Sequence, residues 1–187
     1  MPMRSSRRQF LFGGLKRVHR IKEIAIKQKA TESEFILRPP GAIPERAFLR
    51  ACNKECLQCL TACPIYAIQK VKDSLSPAYR TAYIDPTISG CSFCKDFPCI
   101  KACEYGALTT EVRPLGRAEV LASCITRQGE FCEICMTACP TDYRSMYKDQ
   151  RGVLQIDQER CMGCGSCVSS CFLLPKAIAI YPMDRQI

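Results

Sequence analysis

The chain has 187 residues, 47% of them hydrophobic and 24% charged, with sixteen cysteines and a formal net charge of +9 at neutral pH. Without the cysteines the apolar share is about 38%, thin for one domain or two very small ones, so something besides apolar burial is expected to hold the fold. No uncharged apolar run approaches the roughly 18–20 residues of a membrane span, and the composition excludes a disordered chain.

Residues 1–35 read as a basic arm. Residues 1–30 hold nine of the 27 Lys and Arg residues but one acid, Glu23, so most of the positive charge sits there and the remainder is nearly neutral. The body shows no basic stripe interleaved with aromatics and the chain has no Trp, so nucleic acid is not expected as a partner. Ser6-Arg7-Arg8-Gln9-Phe10-Leu11 looks like a twin-arginine export signal. Arg7, Arg8, Phe10 and Leu11 are therefore the candidate partner-docking residues. The uncharged stretch lasts only from Phe10 to Leu15, and no A-x-A-like cleavage site follows. The reading is a vestigial signal on a cytoplasmic protein, membrane-associated through its arm; the alternative is periplasmic, by twin-arginine export. Leu15, Val18, Ile21, Ile24 and Ala25 place a helix over residues 15–30, with Arg17 and Lys22 intruding on its apolar half. That helix suits either docking to a partner or membrane surface, or a solvated arm. His19, the single histidine, reads as a surface residue.

Pro39-Pro40-Gly41 with Pro44 marks a break between the arm and a body read as residues 36–182, followed by a tail at 183–187. All sixteen cysteines fall in that body, in four groups of four. The first is Cys52, Cys56, Cys59 and Cys63, with Pro64 after it. The second is Cys91, Cys94, Cys99 and Cys103. The third is Cys124, Cys132, Cys135 and Cys139, followed by Pro140, and the fourth is Cys161, Cys164, Cys167 and Cys171.

The C-x2-C-x2-C-x3-C run is how bacterial ferredoxins hold [4Fe–4S] clusters. Three thiolates come from a tight loop, and the fourth, at the start of a helix, ligates the neighbouring cluster in two-cluster folds. The fourth group has that spacing; the others keep the final C-x3-C and stretch one earlier gap. Zinc sites bring together separated C-x2-C knuckles, and disulfides suit small secreted chains, so both fit four crowded cysteines less well. Cys124, seven residues from its neighbour, is the weakest ligand by spacing.

Ala82-Tyr83-Ile84-Asp85 precedes the second group and Val153-Leu154-Gln155-Ile156-Asp157 the fourth. Apolar stretches at residues 66–68, 105–108 and 176–180 follow three of the groups. Each unit reads as short strand, cysteine loop, short helix, short strand. The fold class expected is α+β, with two ferredoxin-like (βαβ)2 modules, each around two [4Fe–4S] clusters. Whether the groups pair as one–two and three–four, or nest as one–four and two–three, stays open. Gly163 and Gly165 are read as sites of close backbone approach to the sulfides. Polar loops at 72–81 and 113–118 follow, the second a candidate module boundary.

With Arg7-Arg8, Arg38-Pro39-Pro40-Gly41-Ala42, Cys91-Ser92-Phe93-Cys94, Pro98-Cys99, the split Cys124…Cys132 and Cys161-Met162-Gly163-Cys164-Gly165, the chain resembles the ferredoxin-type MauM/NapG and NapF proteins encoded with periplasmic nitrate reductase or methylamine dehydrogenase. The resemblance implies four [4Fe–4S] clusters and electron transfer towards a molybdoenzyme. NapG-like members carry an export signal and pass quinol electrons outwards, whereas NapF-like members stay cytoplasmic and are linked to molybdoenzyme maturation. The expected function is one-electron transfer between partner redox proteins, a molybdoenzyme and a quinol- or ferredoxin-linked donor. The alternatives are an assembly factor docking through its arm, or an electron-transfer subunit of another Mo/W oxidoreductase. No lone activated cysteine, His-paired nucleophile or phosphate loop suggests an enzyme. Lys95, Lys101 and Arg160 are candidates for raising cluster potentials.

Overall fold

The computed structural model describes residues 36–140, 142–181 and 183. The arm, with Arg7, Arg8, Phe10, Leu11 and the helix expected over 15–30, lies outside the described residues, as does most of the tail. Among the described residues no helix is long and apolar enough to cross a membrane.

The chain enters through Leu37, whose carbonyl accepts a hydrogen bond from Ile84 N at 2.8 Å. Pro39-Pro40-Gly41, expected at the edge of the body, lies inside it: both prolines are fully buried. Gly41 has φ +74°, and a Cβ there would fall 2.0 Å from the Thr109 carbonyl oxygen. Thr109 N donates to Gly41 O at 2.7 Å and Ile43 N to Ala107 O at 3.2 Å. Residues 41–43 and 107–109 thus run side by side, with Ala42 and Leu108 in an antiparallel bridge.

Helix α1 (Glu45–Ala51) opens after Pro44, has Glu45 in its first turn and Arg50 in its last, both matching the helix dipole, and buries Phe48. Short helices then alternate with short strands: α2 (Gln58–Thr61), β1 (Ile68–Lys70), β2 (Ala82–Ile84), α3 (Pro98–Lys101) and β3 (Arg117–Val120). A 3₁₀ turn over Ile125–Gln128 leads to α4 (Ile134–Ala138), β4 (Met146–Lys148), β5 (Leu154–Ile156), α5 (Ser166–Ser170) and β6 (Ile178–Tyr181).

The six strands among the described residues make three two-stranded antiparallel sheets, β1–β2, β3–β6 and β4–β5. In the C-terminal half β4–β5 is the inner hairpin and β3–β6 joins the ends of the segment. The N-terminal half repeats this with β1–β2 as the inner pair and the Ala42–Leu108 bridge in place of the outer one. Groups one and two therefore share one half, and groups three and four the other. The inner hairpins decide this, because each pairs the strand after one cysteine group with the strand before the next. The Asp149 carboxylate closes the tighter one, accepting from Arg151 N and Val153 N at 2.9 Å each.

Two expectations shift. The strand anticipated at 66–68 starts two residues later, because Tyr66 takes φ 53° in the turn after Pro64. Residues 105–108 give only the single bridge, with Gly106 at φ 65° curving the chain beforehand.

Arg38 is completely buried. Its Nε and Nη2 donate to the Glu45 carboxylate at 3.0 and 2.6 Å, and Nη1 donates to Thr81 Oγ1 at 2.9 Å and Ala82 O at 2.7 Å. Its guanidinium lies 4.6 Å from the centre of the Phe48 ring. One side chain thus ties the entering segment to α1 and β2. Arg38→Ala removes all of these contacts together and is expected to cost about 3 kcal/mol. The half-exposed Glu45 can rehydrate, which keeps the loss at the lower end for a broken buried pair. Anaerobic thermal melting checks it; an unchanged midpoint contradicts it.

Candidate metal centre

Each half places its cysteines by the same local rule. The third cysteine of every group sits within a short helix: Cys59 in α2, Cys99 in α3, Cys135 in α4 and Cys167 in α5. The fourth follows four residues later on the same helical face, about 6 Å further along the axis. The two thiols thus reach different sites. The fourth cysteine lies at the helix C-cap or one residue past it, where the sequence placed it at the start of a helix. Cys139 (ψ 127°) and Cys171 (ψ 124°) are extended C-caps, a conformation Pro140 imposes on the former.

Four thiol sets result. Cys52, Cys56, Cys59 and Cys103 line one void beside Phe48 and Ala82. Cys63, Cys91, Cys94 and Cys99 line a second. Cys139, Cys161, Cys164 and Cys167 line a third. In the fourth set the thiol of Cys135 lies within electrostatic reach of Cys132, Cys124 and Cys171. Three cysteines of each group stay together, and the last crosses to the neighbouring set in the same half. Cys124, the weakest candidate by spacing, is buried with its Sγ 3.3 Å from Thr126 Oγ1.

Adjacent sets lie near one another. Cys59 lies within electrostatic reach of Cys99, and Cys167 of Cys135. Between the halves, Cys91 N donates to Cys164 O at 2.8 Å.

The sulfurs also meet polar groups that stabilise negative charge. Ala67 N donates to Cys63 Sγ at 3.3 Å, Phe93 N to Cys91 Sγ at 3.4 Å and Leu108 N to Cys103 Sγ at 3.4 Å. The Ser92 and Ser145 hydroxyls lie 3.4 Å from Cys94 and Cys139 Sγ. Such contacts orient thiolates and raise the potential of a cluster they bind.

Among the described residues no three His, Cys, Asp or Glu side chains converge on a point suited to a single metal ion. Four sulfurs spread around a void, with N–H groups aimed at them, instead fit a polynuclear cluster whose own atoms fill the space.

Burial, then neighbouring thiols, push Cys59 up to about 12. Burial pushes Cys91 to about 12, and Cys99 and Cys135 to about 11. Cys167 rises further for the same reason. A ligand thiol must shed its proton, so acid opposes loading. Iron release to a ferrous chelator is expected to be faster at about pH 5 than at about pH 8; equal rates contradict this. In the metal-free chain the shift acts the other way. Protonated buried thiols favour the fold below the ordinary pKa of 9.0, and that contribution is lost as pH climbs towards about 12.

Lys95, Lys101 and Arg160 are all exposed, where water and salt screen their charge. Arg38 is a cation behind the wall of the first void, where it contacts Phe48 and Ala82. The sequence reading took Arg38 only as part of a motif, and no local pattern marks it as buried. Gly163 and Gly165 both line the Cys139 void and mark close approach to backbone and to Pro86. A Cβ would fall 2.1 Å from Gly116 O at the first and 2.6 Å from Pro86 Cβ at the second.

A family model described as a 4Fe-4S dicluster domain matches residues 130–172. The "Methylamine utilization ferredoxin-type protein MauM" of Methylophilus methylotrophus is 34% identical, over 85% of this chain and 76% of its own length. The protein of the same name from Methylorubrum extorquens is 31% identical, over 98% of this chain and 92% of its own. The "Ferredoxin-type protein NapG" of Escherichia coli K12 is 32% identical, over 84% and 75%. No solved structure matches the chain.

Proposed function

The chain belongs to the ferredoxin-type MauM/NapG family of [4Fe–4S] proteins, and from that premise we propose that its body is a four-cluster electron wire built as two (βαβ)2 modules. The ligands are Cys52, Cys56, Cys59 and Cys103; Cys63, Cys91, Cys94 and Cys99; Cys139, Cys161, Cys164 and Cys167; and Cys124, Cys132, Cys135 and Cys171. The observation that carries the reading is the sorting of all sixteen cysteines into four sets of four, three of them around voids.

A bound [4Fe–4S] cluster supplies reversible one-electron chemistry. The polypeptide holds neighbouring sites near one another, aims N–H and hydroxyl groups at sulfur, and keeps bulk water from the inner thiols. It acts as a carrier without a substrate site of its own. The partners proposed are redox proteins: a molybdoenzyme, such as a periplasmic nitrate reductase, and a quinol- or ferredoxin-linked donor.

An anaerobic redox titration followed by electron paramagnetic resonance tests this. Four one-electron reductions per chain are expected. Two or fewer contradict it.

A further inference from the structure

Resting on the four-site reading, we infer that electrons cross between the two halves where Cys91 meets Cys164, and that Gly90 and Ser166 are positioning residues for that crossing. The route then runs from the Cys52 set through the Cys63 and Cys139 sets to the Cys124 set, leaving the first and last as its two ends.

Cys91 N–H donates directly to Cys164 O at 2.8 Å, so one hydrogen bond separates two ligand residues of different sites. Ser166 grips both loops: its hydroxyl donates to Cys91 O at 3.0 Å and lies 3.6 Å from Cys164 Sγ. Gly90 N adds a bond to Ser169 Oγ at 3.2 Å.

This approach depends on the missing side chain at residue 90. A Cβ there would fall 2.1 Å from Ser166 N and 2.3 Å from Gly165 C, distances only backbone movement relieves. Phe93, between Cys91 and Cys94, meets Tyr143 edge-on at 5.4 Å, and Tyr143 lines the Cys139 void. Tyr143 also lies within electrostatic reach of both Cys91 and Cys164.

The step moves one electron: one site is oxidised as its neighbour is reduced, and no bond forms or breaks. Tunnelling falls steeply with distance, so a junction with two ligand residues in hydrogen-bond contact favours transfer there.

The test uses the full-length protein reconstituted anaerobically, with Gly90→Ala, Ser166→Ala and, as control, Gly152→Ala. Gly152 also has positive φ, +77°, but an added Cβ meets nothing within 4 Å. Iron and sulfide per chain report loading. Magnetic interaction between reduced clusters reports separation, and flash photoreduction reports internal equilibration.

Gly90→Ala is expected to load fully, weaken the interaction and slow equilibration by about tenfold or more, the scale on which small displacements act at positioned sites. Ser166→Ala is expected to shift both in the same direction, and Gly152→Ala neither. Full loading of Gly90→Ala with unchanged interaction and rate overturns the inference. If Gly90→Ala fails to load, Ser166→Ala decides: unchanged interaction and rate overturn it. Fewer than four clusters in the unsubstituted protein instead defeats the four-site reading beneath it.

Discussion

Stripping the iron with a strong chelator under anaerobic conditions is expected to unfold the body, with loss of native far-UV dichroism and of a cooperative melting transition. No regular element can stand alone. The described helices run from four to seven residues, and every sheet has two strands of three or four. Both lie below the lengths at which isolated helices or hairpins persist in water. The buried residues include Cys63, Cys99, Cys124, Cys135 and Cys167, so the thiols occupy positions that larger apolar side chains fill in an ordinary core. Emptied, the sites leave the space between their thiols unfilled in both halves. Burial holds Cys59 and Cys91 protonated, so neutral thiols replace iron–sulfur bonds with weak contacts. Binding energy is then folding energy. A chelated protein that keeps native dichroism and melts sharply contradicts this.

The second large effect concerns the crossed cysteines. Cys103→Ala is expected to abolish the cluster held by Cys52, Cys56 and Cys59, although Cys103 belongs by sequence to the Cys91 group. Iron should fall by about a quarter, one cubane of four. The missing reduction step should be the one lost in Cys56→Ala, not the one lost in Cys94→Ala. Cys171→Ala should likewise match Cys132→Ala. If Cys103→Ala and Cys94→Ala lose the same step, the crossing is wrong.

Much of this site was legible from spacing. Chelation chemistry dictates close cysteines at short fixed intervals, so the groups and the cluster type could be read directly. The pairing of groups could not, because a final C-x3-C looks the same whichever neighbour it serves. The decision lies in β1–β2 and β4–β5, hairpins whose register depends on turns such as that at Asp149.

Strand edges slipped for a related reason. Tyr66 adopts a left-handed backbone that its residue type does not advertise. Phe93 (φ 49°) and Gly163 (φ 62°) hold equivalent places in their loops, so glycine alone did not locate such turns. Arg38 was missed because charge ordinarily marks surface. Only the structure shows Glu45, Thr81 and Ala82 assembled around it. The junction at Gly90 was equally silent, since its meaning lies in a neighbour more than seventy residues away, Ser166.

Four clusters per chain is the claim on which the rest depends, and iron and acid-labile sulfide on anaerobically prepared protein test it most directly. The account predicts about sixteen of each, four per thiol set. About twelve would mean that one set does not ligate, with the Cys124 set the first suspect, and zinc without sulfide would contradict the electron-transfer reading altogether.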